Sequence, residues 1–157
     1  LKRPFREQAI AEKGKYYAEQ NTYAWYQLRI LDVPVCVAAV SFAGPPVRFN
    51  LSLTDPVTEI LNTAKQVTAK IKEPWTGVGG DYSVALGTKS KARLVSADKL
   101  DKTLPTLSCS VNTFSRLLWG VAPATSLAIS DGLQAPHGLL LALDPVFKTG
   151  PNPVWDF

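Results

Sequence analysis

The sequence predicts an α+β domain in which one mixed, mostly antiparallel sheet packs against a helical layer. Three observations lead there. Short alternating runs of the half-buried strand type are interspersed with helical segments, without the regular strand–helix period of a parallel α/β fold. Three helix-like segments follow one another after the last of those runs. The 157 residues, 46% apolar and 19% charged, suffice for a single hydrophobic core and are too hydrophobic for a disordered chain.

Residues Arg6 to Gln20, rich in Glu, Lys, Gln and Ala, are expected to form a short exposed helix despite Gly14. Tyr23 to Leu31 alternates Tyr23, Trp25, Leu28 and Ile30 as a strand would, and ends at Asp32. Asp32 can cap a helix over Val33 to Ser41, because its carboxylate accepts first-turn amides while Pro34 occupies a position that needs none. Gly44, Pro45 and Pro46 stop that helix. Val47, Phe49, Leu51 and Leu53 then alternate with Arg48, Asn50 and Ser52, the clearest strand in the chain.

Asp55 and Pro56 read as the cap and first residue of a helix running through Lys72, with Val57, Ile60, Leu61, Ala64, Val67 and Ile71 at helical spacing. Trp75 to Gly80 is a turn-rich link, and its glycines are expected to serve the turn. Tyr82, Val84 and Leu86 make a second alternating strand ending at Gly87. Lys89, Lys91, Arg93, Lys99 and Lys102, interrupted by Asp98 and Asp101, read as an exposed loop or guarded edge strand rather than a phosphate site. Leu107, Cys109 and Val111 form a third alternating run. Ser110 or Asn112 can cap a helix from Thr113 to Trp119, closed by Gly120. Two more helices begin near Pro123 and Pro136 and stop at Gly132 and before Pro145.

Charge is unevenly spread. Residues 104–157 carry only Arg116, Lys148, Asp131, Asp144 and Asp156, so this third of the chain must fill a core, line an apolar cavity or abut a partner. The net charge of +4 is too modest to mark a nucleic-acid binder. No uncharged stretch reaches the ~20 apolar residues of a membrane span, and a secretory signal is either absent or already removed, which together point to the cytoplasm. The absence of Met and the start at Leu1 place the translation start upstream, so the chain is expected to be a processed product or a piece of something longer. Cys36 and Cys109 are read as buried thiols. The single histidine, His137, sits at a helix start. No metal-ligand spacing, CxxC pair, GxGxxG, GxxxxGK[ST] or GxSxG motif occurs, and no glycine turn opens a helix as an acetyl-CoA pyrophosphate loop does.

Four stretches in order resemble the C-terminal region of the enhanced intracellular survival family of N-acetyltransferases. They are WYQLRILDVPVCVAA (25–39), VRFNLSLTDPV (47–57), NTFSRLLWGVAPATSLAISDGL (112–133) and the terminal VWDF (154–157). The resemblance implies a sterol-carrier-protein-like α+β domain over residues 23–157, with residues 1–22 as a lead-in helix or linker from an upstream domain. It also implies that acetyl-CoA is a cofactor of the full-length enzyme, bound by upstream acetyltransferase domains, with none held by this chain. The segment after Val57 is longer than the short link associated with the family.

The same resemblance implies a catalytic role for the α-carboxylate of Phe157, as the general base that takes a proton from the amine nucleophile. Asp156 and Trp155 would attract the cationic amine and wall its pocket. The chemistry is reasonable because an ammonium cannot attack until it loses a proton, although an α-carboxyl in water, at about 3.3 to 3.7, is a weak base near neutrality and needs burial. Two other functions fit the charge-poor tail. In the first, a lipid carrier, Leu117, Leu118, Trp119, Leu127, Ile129, Leu139, Leu140, Leu141, Leu143, Val146 and Phe147 surround a hydrophobic ligand instead of filling a core. The second is a structural domain for assembly of a homo-oligomer.

Overall fold

The computed structural model describes residues 9–10, 16–17, 29–63 and 75–147. A four-stranded sheet is built from β3 (Val47–Thr54), β4 (Gly80–Leu86), β5 (Lys91–Val95) and β6 (Thr106–Ser110), in the order β5-β4-β3-β6. Alternation sets its two faces. Phe49 pairs with Val84, Leu51 with Tyr82 and Leu107, and Leu53 with Cys109, so these side chains share one face. The opposite face carries Arg48, Asn50 and Ser52 of β3. β3, β4 and β5 are antiparallel neighbours, whereas β6 runs parallel to β3, which makes the sheet mixed.

All helices that enter the core lie on the apolar face: α1 (Val33–Ala38), α3 (Val111–Leu118), α4 (Ala124–Ser130) and α5 (His137–Leu143). Phe49, Leu51, Leu107, Phe114, Leu117 and Leu127 are fully enclosed there, each stabilising the fold by roughly 1.5–3 kcal/mol relative to exposure. Helix ends follow the sequence closely. The Asp32 carboxylate accepts the Val35 amide at 2.8 Å, and Pro34 lies in the first turn of α1. Ser110, of the two candidate caps, accepts the Thr113 amide at 3.1 Å and starts α3 two residues earlier than expected. Gly120 at φ +63 and Gly132 at φ +66 reverse the chain after α3 and α4, a left-handed conformation that glycine adopts without steric cost. The first turn of α4 is tied across to the end of α5, where the Asp144 carboxylate accepts the Thr125 amide and hydroxyl.

The N-terminal helix expected over Arg6 to Gln20 is corrected. Ala9–Ile10 (β1) and Tyr16–Tyr17 (β2) form a two-stranded antiparallel pair instead. Ile10, Tyr16 and Tyr17 favour extended backbone and Gly14 penalises a helix, and these local costs outweigh the helix-forming Glu and Ala between them. Most of the Tyr23 to Leu31 run lies outside the described residues. Arg29 to Leu31 is not paired in a sheet, and Ile30 is buried with its amide donating to the Ser115 hydroxyl at 3.2 Å. The helix after Asp55 is described over Pro56–Thr63 (α2), and the rest of its expected span to Lys72 lies outside the described residues.

The β4–β5 turn is closed by Ser90, whose hydroxyl accepts the Gly87 amide and donates to the Gly87 carbonyl. The chain then passes from the β5 edge to the β6 edge through a 3₁₀ turn (Ala97–Lys99). This connection covers Asn50 on the polar face. Asn50 donates to the Asp101 carbonyl at 2.8 Å and its own amide donates to the Pro105 carbonyl. The outer edge of β6 is met by Gln134, which exchanges two backbone hydrogen bonds with Ser108.

Candidate functional site

The densest polar cluster among the described residues gathers where β3 ends. Asp55 follows Thr54 and precedes Pro56, so its carboxylate sits at the start of α2, where orphan amides need acceptors. One oxygen accepts the Val57 amide at 3.0 Å and the Arg29 guanidinium at 2.5 Å; the other accepts the Val78 amide at 2.8 Å. The Asp55 side chain is wholly buried, while that of Arg29 is about a third exposed. Burial pushes the Asp55 carboxyl up, but the Val78 and Val57 amides and the Arg29 charge together outweigh it and hold the group below its ordinary value of 3.8. Asp55 is therefore a fixed anion and a poor proton acceptor.

The glycine link wraps this carboxylate. Gly77 has φ +84, and a Cβ there would lie 2.4 Å from the Thr58 hydroxyl and 2.8 Å from an Asp55 carboxylate oxygen. Only glycine fits that approach. The Thr58 hydroxyl donates to the Thr76 carbonyl at 2.9 Å and accepts the Gly79 amide at 3.1 Å. The Tyr82 hydroxyl donates to the Val78 carbonyl at 2.8 Å, and burial, then the nearby Asp32 and Asp55 charges, raise its pKa above the ordinary value of 10.0. Trp75 donates its indole N–H to the Leu31 carbonyl and stacks under Arg29, with 5.5 Å from the guanidinium to the ring centroid.

This cluster staples three segments of backbone together, 29–31, 55–58 and 75–82. The Val78 and Gly79 amides face Asp55 and Thr58, so they are not free to meet a phosphate, and the link runs into β4 rather than opening a helix. The residues of this cluster do not fit the pyrophosphate of acetyl-CoA. Sequence reasoning identified Asp55 as a cap and the glycines as a turn but missed that one closes on the other. The signal available was the Asp-Pro dipeptide and the spacing of Gly77 and Gly79.

Elsewhere, His137 is exposed at the first residue of α5. Cys109 is buried, and desolvation pushes its thiol up to about 12, which leaves it unreactive at neutral pH. Cys36 is half-buried and both cysteines are free thiols. Among the described residues no cluster of three His, Cys, Asp or Glu side chains is arranged for a metal ion, and no helix is long and apolar enough to cross a membrane. Lys89, Lys91, Arg93, Lys99 and Lys102 are all exposed, Lys91 and Arg93 on edge strand β5.

Phe157, Asp156 and Trp155 lie outside the described residues, which end at Phe147. The apolar residues considered for a ligand cavity are divided. Leu117, Leu127, Leu139, Leu140, Leu143 and Phe147 belong to the buried core, and Leu118 and Val146 pack against it. Trp119, Leu141 and Ile129 are exposed, Ile129 by 90%.

No protein-family model matches the sequence, and no curated protein does. Solved structures do match. A GCN5-related N-acetyltransferase from Kribbella flavida aligns at 19% identity and a TM-score of 0.50, covering 76% of this chain and 26% of that one. A GCN5-related N-acetyltransferase from Anabaena variabilis aligns at 18% identity and a TM-score of 0.54, covering 80% of this chain and 26% of that one. The likeness is one of fold, and this chain spans about a quarter of the length of either neighbour.

Proposed function

We propose that this chain is one domain of a longer, cytoplasmic amine N-acetyltransferase. In this reading residues 1–22 lead in from upstream acetyltransferase domains and residues 23–157 form the sterol-carrier-protein-like domain that walls the amine pocket. The α-carboxylate of Phe157, taken as the terminal residue, accepts the proton that the substrate ammonium gives up, leaving a neutral amine with a free lone pair and a carboxylic acid. Asp156 draws the cationic amine in, and Trp155 excludes water from it. When bound by the upstream domains, acetyl-CoA supplies the acyl group; the residues of this chain orient the amine and move its proton.

The observation that carries the proposal is the fold likeness to a quarter-length portion of two N-acetyltransferase chains, in agreement with the four ordered sequence stretches. The Asp55 carboxylate and the Val57, Val78 and Gly79 amides are engaged within their own cluster, with one another, with Arg29 and with the Thr58 hydroxyl. Assay of the longer protein and of residues 1–157 alone tests the reading. The longer protein is expected to acetylate primary amines, and the isolated chain to give no turnover and no acetyl-CoA binding by titration calorimetry. Turnover by the isolated chain, or a longer protein that acetylates no amine, would refute it.

A further inference from the structure

We draw no further inference here: the strongest candidate, the exposed apolar patch that Leu31 and Trp75 form around their indole–carbonyl hydrogen bond beside Arg29, adjoins the site already described, and nothing in the structure shows what covers it.

Discussion

Appending one alanine after Phe157 in the longer protein is expected to lower its rate of amine acetylation by about 10²- to 10⁴-fold, the range a positioned general base contributes, while leaving the unfolding temperature within error of wild type. The extension converts the proposed base into a peptide carbonyl, which cannot take up a proton at neutral pH, and carries the new carboxylate roughly 3.3–3.6 Å further along the chain. A displacement of that size exceeds the reach of a hydrogen bond between base and amine. Binding of the amine should change less than turnover, because Asp156 and Trp155 remain in place. A rate loss accompanied by an equal loss of stability would indicate a tail that merely packs, and an unchanged rate would remove Phe157 from the chemistry.

The second large effect concerns stability. Replacing Asp55 with Ala is expected to destabilise the fold by about 3–5 kcal/mol, combining a lost helix cap of roughly 1 kcal/mol with a buried Val78 amide and the Arg29 charge left without an acceptor. For a domain of this size the unfolding temperature should fall by about 10 °C, measured by calorimetry. The acid dependence has a definite sign. Because the folded-state pKa lies below the unfolded value of 3.8, the ionised Asp55 stabilises the protein above that value, and the contribution disappears as pH falls through the lower folded value. Asp55→Asn keeps the shape but cannot ionise, so its stability should fall less than that of wild type between neutral and strongly acidic pH. A loss under 0.5 kcal/mol for Asp55→Ala, on the order of a neutral surface change, would contradict the structural role given to this cluster.

Local chemistry made much of the fold legible in the sequence. Alternation from Val47 to Leu53 sets one face of β3, and the Asp32 and Ser110 caps arise from side-chain oxygens within three residues of the amides they accept. Less was legible where contacts are distant. Arg29 and Val78 reach Asp55 from 26 and 23 residues away, and no periodicity records such a meeting. Parallel pairing of β6 with β3 was also hidden, since a half-buried strand alternates identically in either direction. At the N-terminus, favourable helix composition in Arg6 to Gln20 concealed the extended preferences of Ile10, Tyr16 and Tyr17. A terminal carboxylate belongs to every chain and carries no side-chain signature, so only the ordered set of motifs points to the proposed role of Phe157.

The central claim is that a carboxylate at the end of this domain takes the proton from the amine. Its most direct measurement replaces only that group, by semisynthesis of the longer protein with Phe157 as its C-terminal carboxamide, which has nearly the same size but no basic oxygen. The pH dependence of kcat/KM is then compared with that of the unmodified protein. The account predicts that the carboxamide loses about 10²-fold or more in rate at neutral pH and also loses the acid limb of its profile, where protonation of the base shuts the wild-type reaction down. A carboxamide protein with the wild-type rate and an unaltered acid limb would contradict it.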